Sequence, residues 1–320
     1  MRSALALLLV LFLQPVGLAQ EYPVRPVRMI VPFPAGGPAD IFGRGLAHGM
    51  SGELGQPVVI ENIGGLGGVL GIDRVAKAEP DGYTLGLNSG STLSIAPYSL
   101  NRIPYDVKSD FTLLTLVVRV PEVVAVHPSM PVHSLRELVA YAKAHPGKIN
   151  FGSSGSGSIT HLAVELLKAE AGIDMMHVPY QGAAPAVVDL VGGRVHLAIL
   201  DVPVLLAHIR SGKLRALAVT TGSRVPMLST VPTTAELDYP RVTSDNWYGL
   251  LMPAGAPAEV QKRVHSAAVR TLRSPAVHEQ YAKVGGQASP GTPQEYAEFL
   301  AAEQAKWSRI VNAIGFKELN

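Results

Sequence analysis

Two stretches far apart in the chain carry nearly the same order of residue types: Val31-Pro32-Phe33-Pro34-Ala35-Gly36-Gly37-Pro38-Ala39-Asp40 and Val178-Pro179-Tyr180-Gln181-Gly182-Ala183-Ala184-Pro185-Ala186. Each reads as a strand end, a turn bearing glycine and proline, and a helix start. A helix start presents unpaired peptide N–H groups and the positive end of the helix dipole. Two such loops facing a shared cleft can therefore hold an anion without lysine or arginine. The chemistry they suit is recognition of a small acidic ligand, and Gly36 and Gly37 let the backbone approach it closely.

A third candidate is Gly152-Ser153-Ser154-Gly155-Ser156-Gly157-Ser158, ahead of Thr160 and His161, in which the hydroxyls of Ser156 and Ser158 add donors to another helix start. This segment lacks the Gly-Lys-Ser/Thr ending of a P-loop, and Gly65-Leu66-Gly67-Gly68-Val69-Leu70-Gly71 places its last glycine one residue late for a dinucleotide fingerprint. Gly-x-Ser-x-Gly is not spelled out either, although His161 stands five residues after Ser156 and keeps an exported serine hydrolase as a rival reading. The ten histidines form neither His-x-x-x-His nor His-Glu-x-x-His, so neither a metal nor a cofactor is expected. Asp40, in the first turn of its helix, either braces that turn or meets ligand directly or through water. Phe33 and Tyr180 are candidates to close the cleft, and Trp247 to pack between lobes.

The elements that must position these loops alternate between short β-rich runs and amphipathic helices, the order of an α/β protein with largely parallel sheets. Strands are expected over 27–31, 58–60, 84–87, 113–118, 123–126 and 213–221. Helices are expected over 39–50, after the capping box Ser134-Leu135-Arg136-Glu137, and after the capping box Thr292-Pro293-Gln294-Glu295. A chain that leaves one lobe, builds a second and returns near Trp247 crosses between them at two places, which makes a hinge. The expected division is 20–123 with 248–320 as lobe 1, and 124–247 as lobe 2.

Arg2, the apolar run 4–13 and the small residues around Gly17-Leu18-Ala19 form the three-part pattern of a secretory signal peptide, 1–19, cleaved after Ala19. The run is shorter than the ~20 apolar residues that span a bilayer. With no cysteine, disulfides, thiolate metal sites and an N-terminal lipid anchor are excluded. At 47% hydrophobic and 16% charged the 320 residues suit a packed globular protein. The chain has 27 basic and 25 acidic residues, and losing residues 1–19 removes only Arg2, so the mature charge is near +1. No basic stripe appears, which argues against nucleic acid as a partner.

Further strings extend the pattern: Tyr22-Pro23, Leu54-Gly55-Gln56-Pro57-Val58-Val59-Ile60-Glu61-Asn62, Pro80-Asp81-Gly82-Tyr83-Thr84-Leu85, Pro104-Tyr105-Asp106, His177-Val178-Pro179-Tyr180-Gln181-Gly182, Gly212-Lys213-Leu214-Arg215-Ala216-Leu217 and Gly249-Leu250-Leu251-Met252-Pro253-Ala254-Gly255. Together with the loops above, and in this order over essentially the whole mature chain, they resemble the Bug-type (TctC-like) substrate-binding receptors of tripartite tricarboxylate transporters. The resemblance implies a two-lobed periplasmic binding protein fold, type II-like, with two crossover segments and a ligand cleft between the lobes. It implies a monomeric periplasmic receptor, not an enzyme, that closes on a small organic acid and delivers it to an integral membrane permease. A ligand-dependent co-sensor for a membrane kinase is the alternative.

Carried over residue by residue, the resemblance gives first-lobe contacts at Phe33, Ala35, Gly36, Gly37, Asp40 and Ser89. Second-lobe contacts fall at Ser154, Gly155, Ser156, Gly157, Ser158, Tyr180, Gly182 and Asp201, the last selecting the far end of the ligand. Pro38 stands where the family commonly has serine or threonine, and Ile63-Gly64 where it has Arg-Pro. Both changes make the site less polar, so the expected ligand is an aromatic or aliphatic acid less polar than citrate.

Overall fold

A computed structural model describes residues 22–316; the signal sequence and its cleavage after Ala19 lie outside them. From the N-terminus come β1 (Val27–Val31), α1 (Pro38–Leu54), β2 (Val58–Asn62), α2 (Val69–Ala76), β3 (Thr84–Ser89), the short α3 (Ala96–Ser99) and the long β4 (Phe111–Val126). The chain continues through α4 (Leu135–Ala144), β5 (Asn150–Ser153), α5 (Ile159–Ala171), β6 (Met176–Pro179), α6 (Ala183–Val191), β7 (Leu197–Asp201), α7 (Val202–Arg210) and β8 (Arg215–Val219). It closes with β9 (Asp245–Pro253), α8 (Ala258–Arg273), α9 (Pro275–Lys283), β10 (Gln287–Ala288) and α10 (Pro293–Ile314).

The strands run in the order β2-β1-β3-β9-β4-β7-β5-β6, with β8 and β10 also paired to β4. In lobe 1, β1 is parallel to β2 and β3, and β9 is antiparallel to both β3 and β4. Val27, Met29 and Val31 of β1 pack with Phe42, Leu46 and Met50 of α1, while Ile30 packs with Val69, Ile72 and Val75 of α2. A parallel strand covered on both faces reads as a continuous apolar run, as Val27-Arg28-Met29-Ile30-Val31 nearly does. In lobe 2, β5 is parallel to β6 and β7, and the end of β4 lies antiparallel between β7 and β8. The molecule is thus α/β and two-lobed, as expected.

The runs 113–118 and 123–126, expected as two strands, belong to one sixteen-residue strand. Pro121 invites the break because it has no amide hydrogen for a ladder. It sits where β4 changes partner, its last pairing to β9 being with Asp245 and the next residue, Glu122, pairing with Asp201 of β7. Two register shifts against β9, at Leu113/Thr115 and Leu116/Val118, twist the strand as it passes between lobes.

Helix α10 straps the lobes together. It starts at the capping box of Thr292 and Glu295, and Tyr296 follows with its hydroxyl donating to Asn88 Oδ1 at 2.8 Å. Gly249 has no side chain to obstruct that hydroxyl, and a Cβ there would run into it. Farther along, Trp307 is fully buried against Ile95 of lobe 1 and Ile159 and Leu162 of lobe 2. Replacing Trp307 by alanine should lower the unfolding free energy by about 3–5 kcal/mol through lost burial and a residual cavity. A urea titration checks this: the midpoint should fall at an unchanged slope.

Candidate functional site

Phe33, Gly37, Pro38, Ala39 and Ser91 of lobe 1, Ser154, Thr160, Ala183 and Asp201 of lobe 2, and Asn246 and Tyr248 of β9 wall one small interlobe cavity. Its free volume is about 20 Å³, room for about one water. The two similar loops close over it and touch. Pro34 packs against Gly182 and Gly64 so closely that a Cβ on either would approach its ring to 2.8 and 3.0 Å. Gly182 is further committed to glycine by a φ of 117°.

Four helices begin at this cavity. Pro38 and Ala39 open α1 after the cap Gly37, Thr160 lies in the first turn of α5, Ala183 opens α6 and Asp201 precedes α7. The first N–H groups of each helix lack partners within it, and the four dipoles present their positive ends to one space. The hydroxyls of Ser91, Ser154 and Thr160 add polar reach; Ser91 Oγ accepts from the Ile159 N–H at 3.0 Å, and Ser154 and Thr160 meet at 2.8 Å.

The acidic end of the cavity is Asp201. Its carboxylate accepts from Asn246 Nδ2 at 3.0 and 3.2 Å and from the Tyr248 hydroxyl at 2.8 Å. It does not cap its own helix. Burial pushes its carboxyl up to about 7, against the pull of the Tyr248 and Asn246 hydrogen bonds, which favour the charged form.

Among the residues named from sequence, Phe33, Gly37, Ser154 and Asp201 line the cavity, and the other ten do not. Ala35 and Gly36 are exposed on the first loop. Asp40 is buried behind that loop, where its carboxylate accepts from the Gly36 N–H at 3.0 Å, Arg44 Nε at 2.9 Å and Asn62 Nδ2 at 3.1 Å. Burial alone would raise Asp40, but the bonds from Arg44, Gly36 and Asn62 hold it below the usual carboxylate range. Ser89 is buried at the end of β3, its backbone N–H and C=O both engaged by Thr92 Oγ1.

In the serine loop, Ser158 caps α5 and its hydroxyl donates to the Gly155 carbonyl at 2.6 Å. A Cβ on Gly155 would come within 3.2 Å of the Gly67 nitrogen, and the Ser156 carbonyl lies beside Gly67, so this loop bears on lobe 1. Gly157 N–H donates to His161 Nδ1 at 3.1 Å. Tyr180 turns its hydroxyl to Asp189 Oδ2 at 2.7 Å. Sequence reasoning named no cavity role for Ser91, Thr160, Asn246 or Tyr248. The signal for the last pair is the period of two along a strand, which puts 246 and 248 on the face opposite Trp247; the Trp247 indole instead donates to Glu303 Oε2 at 3.2 Å.

Ser153 Oγ meets His177 Nε2 at 2.7 Å and Ser129 Oγ meets His127 Nδ1 at 2.8 Å, and neither serine–histidine contact opens on the cavity. His177 packs on both His161 and Phe151, with ring centroids at 3.5 and 4.9 Å. Burial, then the neighbouring His161, push it down to about 3, so it is the neutral brace of the serine loop. A larger open groove of about 850 Å³ beside the hinge is lined by Arg119, Arg224, Asp245 and His278. Its arginines are already paired with Asp245 and Glu236, which leaves the smaller cavity as the better anion site.

Comparison with known proteins yields a consistent set. The family model described as "Tripartite tricarboxylate transporter family receptor" matches residues 42–316. Protein BugT of Bordetella pertussis is 40% identical over 300 residues, covering 93% of this chain and 92% of that protein. Among solved structures, Rpa4515 of R. palustris with adipate is 34% identical with a TM-score of 0.91, covering 93% of this chain and all of that one. The periplasmic binding protein BugD is 33% identical, with a TM-score of 0.89 over 93% and 100% of the two chains. MatC from Rhodopseudomonas palustris with bound malate is 31% identical, with a TM-score of 0.87 over 91% and 100%.

The neutral His177 brace predicts a pH dependence. The unfolded chain binds a proton below its ordinary 6.5 and the folded one does not, so the brace contributes stability above that pH and loses it as pH falls toward 3. Urea titrations should show the wild type losing up to about 1.4 kcal/mol per pH unit below about 6.5 relative to His177→Gln. Parallel pH profiles for the two proteins would mean that His177 charges freely in the fold.

Proposed function

Because the chain belongs to the tripartite tricarboxylate transporter receptor family, we propose that it captures an aliphatic carboxylic acid less polar than citrate between its two lobes and delivers it to the membrane permease of such a transporter. The observation that carries this reading is the convergence of four helix N-termini, with the hydroxyls of Ser91, Ser154 and Thr160, on a cavity walled by both lobes. Adipate in one relative's structure and malate in another's support an acid of this size. An anion so placed needs no arginine, because helix starts supply fixed N–H donors; the first N–H of α5 is held by Ser91 Oγ, which leaves α1 and α6 to supply them.

About 20 Å³ holds no six-carbon acid, so entry requires the lobes to part and the Pro34–Gly182 contact to break. The lobe limits we adopt, 20–123 with 248–320 and 124–247, are supported by the partner change in β4 at Pro121/Glu122 and by the start of β9 at Asp245. The mature protein works in the periplasm as a monomer without catalysis, exported by the signal sequence and cleaved near Ala19. Direct ligand contacts are Phe33, Gly37, Ser154 and Asp201, joined by Ser91, Thr160 and Tyr248. Ala35, Gly36, Ser156 and Gly182 form the closing rim.

A thermal-shift screen of the chain beginning at Gln20, refolded to remove bound acid, tests the reading with adipate, malate, benzoate, citrate and free amino acids as probes. A ligand of the folded form alone raises the melting temperature with concentration, by about 2.7 kcal/mol of stabilisation at one hundred times its Kd. Adipate or a similar aliphatic acid should do so and citrate should not; a panel flat throughout overturns the proposal. Gly37→Val should stay folded with a melting temperature lowered by only a few degrees, the cost of a poorer N-cap, since Gly37 has a φ of −79° and its Cβ would meet only the Pro34 carbonyl at 3.5 Å. The same variant should lose at least tenfold in affinity for the acid.

A further inference from the structure

Glu122 has no part in the reading above, yet its position is costly for a carboxylate. It is fully buried on β4 at the change of partner; one carboxyl oxygen accepts the Ser244 hydroxyl and the other, Oε1, has no hydrogen-bond partner. Directly across the ladder stands Asp201, on the cavity wall. Residues opposite one another in an antiparallel pair project from the same face with Cβ atoms about 5 Å apart. Two carboxylates so close and so dry cannot both be ionised without compensation, because burial disfavours each charge and each charge disfavours the other.

The surrounding elements supply little compensation. From β9 come the Asn246 amide and the Tyr248 hydroxyl, both directed at Asp201, and Asp245, which is spent on Arg119 of β4 at 2.6 Å. From α10 comes Lys306, which is 3.4 Å from Glu303. Asp201 therefore has the better donors and Glu122 the greater need for a proton. Burial, then the charge of Asp201, raise Glu122 well above the ordinary glutamate range.

We infer that Glu122 and Asp201 form a proton-holding pair that makes capture of the organic acid proton-linked: anion and proton enter the cleft together, and Asp201 gives an O–H to the far end of the ligand. This rests on the reading of the cleft as an organic-acid site. The proton comes from solvent, bonds to a carboxylate oxygen of Asp201, and leaves when the ligand leaves; no other bond changes. With Glu122 already neutral, Asp201 is the group that responds. An anionic ligand end favours its protonated form, whereas an ammonium would favour the ionised form and bind without a proton. Proton uptake therefore marks acids whose far end accepts a hydrogen bond, a second carboxylate or a carbonyl, and is absent for amino-bearing ones.

Calorimetry of adipate and malate binding to the mature wild-type protein, at about pH 8 in two buffers of different ionisation enthalpy, counts the proton directly. The expected result is close to one proton taken up per acid bound, with affinity falling up to tenfold per pH unit above about 7; Asp201→Asn should flatten that dependence. A ligand-free infrared spectrum at the same pH should show a protonated carboxyl band that Glu122→Gln removes. Binding of either acid with no proton uptake and a flat pH profile, or a spectrum without the band, overturns the inference and leaves the receptor reading in place. Failure of every acid to bind the wild type at any pH overturns both.

Discussion

Strand β4 cannot leave lobe 1 without already being part of lobe 2. Its first eleven residues, through Pro121, are held by β9 and the remainder by β7 and β8, so one extended backbone is simultaneously the floor of both sheets. Everything at the cleft takes its place from that shared strand. Asp201 is fixed by pairing with Glu122, and Asn246 and Tyr248 reach Asp201 because β9 pairs with the residues just before Glu122. A hinge made of hydrogen-bonded strands resists sliding along its ladder but can twist, and the two register shifts in β4 mark where it is already most twisted. Helix α10, bearing on both lobes through Trp307, limits how far that twist can go.

The loops at the mouth of the cleft answer a different demand. They must meet when closed and part when open, so their contact has to be shallow. Pro34 against Gly182 meets it: a rigid ring on one side, bare backbone on the other, and no hydrogen bond between side chains to break. The polar work is done behind the contact, where Asp40 ties the Gly36 N–H to Arg44 and Asn62, and where Ser158 and His177 hold the serine loop. Each loop is stiffened within its own lobe, so closure joins two preformed halves and little conformational entropy is lost at the moment of binding.

The alternation of strands and helices, the helix starts and their caps were legible from residue order because each depends on neighbours in sequence: Ser134 with Glu137, Thr292 with Glu295, Gly37 before Pro38. The likeness of the two loops was legible for the same reason, whereas their contact depends on how the lobes meet and was not. Asn246 and Tyr248 carried a signal, the alternation about Trp247, which the bulk of the tryptophan obscured. Glu122 carried almost none. A glutamate after Val120-Pro121 reads as a strand end in solvent, and the partner that gives it meaning, Asp201, lies far along the chain and is brought opposite only by the antiparallel ladder. Pro121 misled in the same way, since a residue without an amide hydrogen looks like a break until the strand is seen to change partners there.

An anion site that contains an acid is self-defeating unless the charges are apportioned. The N-terminus of a helix carries roughly half a positive charge, so four of them aimed at one cavity give a field equivalent to about two. Asp201 stands at the start of α7 and, when ionised, offsets that helix and the whole of one other. It does not cap α7; its oxygens are held instead by β9, the strand that crosses to the other lobe. The acid therefore senses both the ligand and the relative position of the lobes. With Asp201 charged, the remaining field suffices for one carboxylate at α1 and α6; with it neutral, the same helices can hold a second. On the proposed assignment, the number of negative charges the cleft accepts is set by one carboxyl group, and that group is tuned by a neighbour behind the cavity wall.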